Sequence, residues 1–262
     1  MKKRRFFINA LIITANSILL SVLATVFRVY QTRIVGAEGM GLMQLLLSVY
    51  FIATNIAASG LNLAVTRLVS EARARDESIS VTKILKRCVT LGVSLGILAC
   101  VLLLIFAKPI GVLWLGDART VQSLRVLAIG LPFFSVSCCV RGYFLAVRKS
   151  LATSLGQIAE QICGFAVIPF LLPRMAQYGL AMACCAISIG MTVGEITGSI
   201  FISACCITEM KNEKRYGKNK KGDAPKMKEI FSISAPIAMQ CPYFHIQPQT
   251  YAPCRRKSIE HL

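Results

Sequence analysis

Residues 28–50 read RVYQTRIVGAEGMGLMQLLLSVY. Arg28 and Arg33 stand five positions apart directly after a long apolar run. Gly36, Gly39 and Gly41 follow before the chain turns apolar again. The run before this link, Phe6–Phe27, and the run after it, Met40–Val65, are each long enough to cross a bilayer. A helix rises about 1.5 Å per residue, so a hydrocarbon core of about 30 Å takes roughly 20 residues. A polar link this short between two such runs predicts a helical hairpin, with glycine supplying the tight turn.

Four more runs of the same kind follow: Cys88–Ala107, Leu124–Val147, Leu151–Leu172 and Gly179–Ile207. Only helices satisfy every backbone group within one such segment, and the runs are too long for barrel strands. The expected fold is therefore all-α and polytopic, a bundle of six membrane-crossing helices. Composition agrees. Only 16% of the 262 residues are charged, against about a quarter in soluble domains. Nine of the eleven cysteines lie inside apolar runs and no Cys-x-x-Cys pair occurs, so they read as small buried hydrophobes and not as a metal or disulfide framework. No cofactor is expected. No P-loop, nucleophile elbow or metal-spaced histidine pair is present, so the chain does not read as an enzyme.

The net charge of +18 would fit a nucleic-acid binder if it were clustered, but it is spread over short links, and no nucleic acid is expected. The distribution reads as topology. Lys2, Lys3, Arg4 and Arg5 precede the first run; Arg67, Arg73, Arg75, Lys83, Lys86 and Arg87 follow the second; Arg148 and Lys149 follow the fourth. A further basic group lies at 211–228. The intervening links are poorer in cations. This alternation places the N-terminus and residues 211–228 in the cytoplasm. The first run is longer than the 7–15 apolar residues of a signal peptide and reads as an uncleaved span. Residues 1–210 thus form a six-helix lobe and 211–228 a basic linker. Residues 229–262 begin like a seventh helix and pass after about residue 240 into an aberrant or disordered tail.

Ionisable side chains inside apolar runs are expensive and mark candidate sites. Glu160 stands between Gly156 and Gly164 at four-residue spacing, on a strip that either packs on a neighbouring helix or borders a polar cavity. Glu195 projects about 100° from a second strip, Gly190, Gly194 and Gly198, a close-packing face; a structural or snorkelling role is favoured for it. Arg141, near the end of the fourth run, is suited either to snorkelling towards lipid phosphates or to ligand contact. Gly92 and Gly96 read as a helix-packing pair. Asn16, Asn55, Asn62 and Gln157 are explained by interhelical hydrogen bonds.

The opening stretch, with ASGLNLAVTRLVSE at 58–71, RGYFLA at 141–146 and SLGQIAEQICG at 154–164, resembles the polysaccharide-transporter branch of the multidrug/oligosaccharidyl-lipid/polysaccharide exporter superfamily. The likeness is to its stage V sporulation protein B group and covers residues 1 to about 239. It implies one six-helix lobe of a MATE-like fold in a bacterial plasma membrane. It also implies movement of a lipid-linked anionic glycan, a cell-wall or spore-cortex precursor, by alternating access together with a second lobe. Arg28 matches an arginine that the family places facing the central cavity. A guanidinium grips phosphate oxygens in bidentate fashion. Arg33 either shares that task or pairs with Glu38. Two alternatives stand beside this reading: a cation-coupled drug exporter, whose cavity should favour carboxylates and aromatics, and an inactive membrane fragment.

Overall fold

The computed structural model describes residues 2–58, 60–74 and 78–216; the expectations for 217–262, including the linker beyond Tyr216, the seventh helix and the tail, lie outside the described residues. Six α-helices account for almost all of it: α1 (Lys2–Ala58), α2 (Leu61–Ala74), α3 (Ser78–Pro109), α4 (Thr120–Val147), α5 (Ser150–Ala176) and α6 (Leu180–Tyr216). A π-helical turn, Ile110–Trp114, closes α3. Among the described residues there is no strand.

Five stretches are long and apolar enough to cross a membrane: Thr14–Ala74, Val81–Trp114, Thr120–Val147, Leu151–Ala176 and Leu180–Lys211. The chain is a multi-pass, all-α membrane protein. The first stretch, 61 residues long, is too long for one crossing and is divided at Gly36, whose φ of 75° and ψ of −178° break the helix. Contacts on either side of Gly36 give its direction. Before it, Asn16 bonds Gln157 and Phe27 stacks on Phe165, so this arm runs parallel to α5. After it, Gly39 meets Leu180 and Tyr50 bonds Glu195, so this arm runs parallel to α6. α5 and α6 are themselves antiparallel, with Gly156 against Ile202 and Gly164 against Gly190. The chain therefore reverses at Gly36, and two crossings lie within α1.

Two boundaries differ from the sequence expectation. The polar stretch Arg28–Val35 is helical, and the reversal is made by one residue and not by a polar loop. A side chain at positive φ is strained, which is why glycine stands there. The second crossing does not run unbroken from Met40 to Val65. It is interrupted after Ala58, and Gly60, with φ 68°, precedes the amphipathic α2.

Two apolar clusters hold the bundle. One is built around Leu46, Leu124, Leu127, Leu131, Ile168 and Ile187. The other is built around Leu61, Val65, Cys88, Tyr143, Phe144 and Ile202. α4, α5 and α6 pass through both, and the stretches between them carry Ser135, Ser137, Glu160, Thr192 and Glu195. These five polar residues thus lie between the two clusters along their helices. α3 and α4 close on each other where Gly92 faces the Cys139 sulfur and Gly96 faces Ser135 and Pro132, as expected for a small-residue packing pair.

Candidate functional site

The two glycine strips are partners. A Cβ placed on Gly194 would stand 2.7 Å from the Glu160 carbonyl oxygen and 3.2 Å from the Gly164 Cα, and one on Gly198 would stand 2.7 Å from the Glu160 Cβ. Backbones this close exclude any side chain, so α5 and α6 meet along Gly164, Gly190, Gly194 and Gly198. Glu160 is wedged at this crossing. Its carboxylate accepts a hydrogen bond from an Arg141 terminal nitrogen of α4 and forms an ion pair with it. The side chains are 18% and 23% exposed for Arg141 and Glu160. Arg141 therefore turns inward to a carboxylate; it does not snorkel outward. Of the two readings of the Glu160 strip, helix packing is what the geometry displays.

Glu195 does project away from its glycine strip, and it too turns inward. The Tyr50 hydroxyl lies 2.6 Å from Oε1 and 2.7 Å from Oε2, donating to the carboxylate across from α1. Gly130 of α4 leaves the space that this carboxylate fills; a methyl there would collide with Oε2. Snorkelling is not what Glu195 does. Glu160 and Glu195 share one level of the bundle, because the α6 residues touching Glu160 are Gly194 and Gly198, on either side of Glu195.

Arg28 and Arg33 are elsewhere. Both are exposed, on the first arm of α1, and no ion pair engages either among the described residues. Thr32 donates its hydroxyl to the Arg28 carbonyl at 2.8 Å, one turn of the helix on. Because the arm is helical through this stretch, the two arginines point about 140° apart and cannot grip one small anion from one face. Arg28 lies about 12 Å before the Gly36 turn along the helix axis, beside Phe27 and its stacked partner Phe165, whose ring centroids are 3.9 Å apart. Glu38 pairs with Arg119 at 3.9 Å, and the Arg33–Glu38 pair, one of the two options for Arg33, is not found among the described residues. Among the polar side chains, Asn16 and Gln157 make the interhelical bond anticipated for them, at 3.0 Å. Asn55 bonds the Phe51 carbonyl of its own helix, and the Asn62 Oδ1 is buried without a partner.

Sequence reasoning missed Tyr50. It closes the SVY of the opening stretch and looks like one more apolar residue there. Its hydroxyl at a helix-buried position was the available signal, since a buried phenol usually finds a partner. Thr153, on the same face of α5 as Gln157, was missed as well. Among the described residues, no three His, Cys, Asp or Glu side chains converge to hold a metal ion.

Comparison with known proteins bears on what such a bundle does. The sequence profile of a family described as polysaccharide biosynthesis protein matches residues 7–240. The chain is similar to stage V sporulation protein B of Bacillus subtilis (strain 168), 26% identical over 238 residues, covering 90% of this chain and 46% of that protein. It is similar to lipid II flippase MurJ of the same organism, 23% identical over 202 residues, covering 73% and 37%. A third similarity, 24% over 204 residues, is to the uncharacterized membrane protein YabM, covering 77% and 37%. The chain spans less than half the length of these relatives. No solved structure matches it.

Proposed function

The chain belongs to the polysaccharide biosynthesis protein family, and from that premise we propose that it forms one lobe of a flippase-type transporter and not an enzyme. One relative is a lipid II flippase by name, and membership over most of the chain carries the reading. The substrate class is a lipid-linked anionic oligosaccharide. The lobe sits in a bacterial plasma membrane with its N-terminus in the cytoplasm, as the alternating basic links favour. A second lobe faces it, and alternating access moves the headgroup between them.

Within that reading Arg28 is the anion-binding side chain. It is exposed at the end of the long apolar run of the first arm. A guanidinium remains charged at any physiological pH and presents a planar fork to phosphate oxygens. Arg33 faces elsewhere on the helix and serves a different contact. Glu160, Arg141 and Glu195 hold the wall of the cavity in shape from within the bundle. A cation-coupled exporter would instead offer carboxylates and aromatics to its cavity. The engagement of Glu160 by Arg141 and of Glu195 by Tyr50 speaks for the flippase reading.

The test is reconstitution. Vesicles containing this chain, alone and joined to the second half of stage V sporulation protein B, are loaded with a fluorescent lipid-linked oligosaccharide, and leaflet exchange is followed by a membrane-impermeant quencher. Exchange that Arg28→Ala abolishes is the expected result. Exchange insensitive to Arg28→Ala removes the anion clamp, and no exchange in either form removes the flippase reading. Orientation is checked in intact cells by thiol labelling with mass-spectrometric site assignment. A cysteine placed at Ala118 should be reached from outside and one at Lys211 should not.

A further inference from the structure

The polar contacts that α5 makes with the first arm of α1 and with the end of α4 leave three buried polar atoms open. Asn16 is buried, with 8% of its surface exposed. It donates Nδ2 to the Gln157 Oε1, while its Oδ1 is buried without a partner. Turning the amide over only exchanges which of its two polar atoms is left open. Thr153 lies one turn before Gln157, and its hydroxyl is also buried without a partner. Elsewhere in this molecule helical threonines do otherwise. Thr25, Thr90, Thr192 and Thr208 each donate to the carbonyl four residues earlier. For Thr153 that carbonyl belongs to Lys149, which caps α5 with φ −103° and ψ 68°. Lys149 departs from the helical course, unlike the residues four before those other threonines. The third open atom is the Arg141 Nε, buried while the terminal nitrogen of the same side chain engages Glu160.

Thr153, Gln157 and Glu160 follow one another at helical spacing on one face of α5, over about 10 Å. The open atoms beside them differ in kind. Asn16 Oδ1 needs a donor, Arg141 Nε needs an acceptor, and the Thr153 hydroxyl takes either. Only a small ligand that both donates and accepts serves all three. A metal cation could satisfy the two oxygens, but the guanidinium would repel it. Buried polar groups without protein partners are commonly met by internal water, which makes two to four hydrogen bonds of both senses.

We infer that these open atoms mark one polar seam, a water-binding site holding a file of about two or three molecules that leads from the Lys149 end of α5 to the Arg141–Glu160 pair. The file gives a mostly covered ion pair a route to solvent. It also makes the contact between the first arm and α5 partly wet, softer than the glycine contact of α5 with α6. The inference stands on the bundle geometry and is independent of what the protein carries.

Thr153→Val tests it, because the substitution keeps the shape and deletes the hydroxyl. In a hydrated seam the water loses a partner, and the thermal midpoint of the detergent-purified protein should fall by about 2–4 °C. In a dry seam an unpartnered buried hydroxyl is removed, and the midpoint should rise or stay unchanged, which would overturn the inference. Thr197→Val is the reference, since that hydroxyl bonds the Val193 carbonyl of its own helix. If Thr153→Val yields no folded protein, Thr153→Cys in vesicles decides by reaction with a small polar methanethiosulfonate, with the modified position read by mass spectrometry. Modification of the introduced thiol is expected. Its protection in folded protein overturns the proposal.

Discussion

The first arm of α1 and the α4–α5–α6 crossing treat arginine in opposite ways. On the arm, Arg28 and Arg33 are exposed and no ion pair engages them among the described residues. In the crossing, Arg141 is mostly covered and locked to Glu160. The contacts of the arm with α5 include an amide pair and an aromatic stack, and Leu11, Ile18, Leu19, Val22 and Val26 on it are exposed. The crossing is cemented by glycine backbones in contact. A cation inside a tight contact must be neutralised where it stands, so it is committed to structure. A cation on a loosely held arm keeps its hydrogen-bonding capacity for something else. On the function proposed above, the difference separates residues that hold the bundle from one that meets a ligand.

The contrast is broken most directly at Arg141. Removing one partner of a buried ion pair leaves an uncompensated charge, at about 3–5 kcal/mol. Arg141→Met should therefore reduce the yield of folded protein and lower its thermal midpoint sharply. Arg141→Met with Glu160→Gln should restore much of the loss, and a double variant no better than the single one would show that the pair is not the cause.

Arg28 should behave in the reverse manner. Arg28→Lys keeps the charge and loses the planar fork. Charge-assisted bonds are worth about 1.5–3 kcal/mol each, so transport affinity for a lipid-linked oligosaccharide should drop by roughly ten- to a hundredfold. Thermal stability should stay within about 0.5 kcal/mol of the parent, as for other exposed substitutions. A lysine that transports as well as arginine would reduce Arg28 to an interfacial anchor.

Gly194 probes the crossing by volume. A Cβ there meets backbone at 2.7 Å, and backbone gives way only by moving a helix. Gly194→Ala should cost about 1–3 kcal/mol, read as a lowered midpoint. Gly41→Ala should not, since nothing lies within 4 Å of a Cβ at that position. Tyr50→Phe is expected to destabilise less than Arg141→Met or Gly194→Ala, by about 1–2 kcal/mol for a lost hydrogen bond to Glu195. No change on that substitution would mean that the carboxylate is held by Gly130 and its surroundings alone.

Much of this arrangement was legible in the chain. Apolar runs of crossing length, the glycine cluster at 36–41 and the strips around Glu160 and Glu195 are local patterns. Helical periodicity converts such spacing into faces without knowledge of any neighbour. The helix class, the reversal near Gly36 and the close-packing character of the Gly190–Gly194–Gly198 strip follow from that alone, whereas the strip around Glu160 left packing and a cavity border both open. The break before α2 was less visible, because Ser59 and Gly60 interrupt an apolar run without a proline or a charge.

What periodicity does not contain is which face meets which. Glu160 finds Arg141 19 residues away, and Tyr50 finds Glu195 145 residues away. Glu38 takes Arg119 and leaves Arg33. These choices depend on how six helices settle side by side, where the closeness of Gly164 to Gly190 and Gly194 sets the depth at which every neighbouring side chain arrives. The sequence by itself determined that charges would lie within the spans and on which helical face each would stand. Only the tertiary structure decided that Arg141 would be neutralised inside the bundle while Arg28 stayed exposed, because a partner is a property of two helices in contact and not of one.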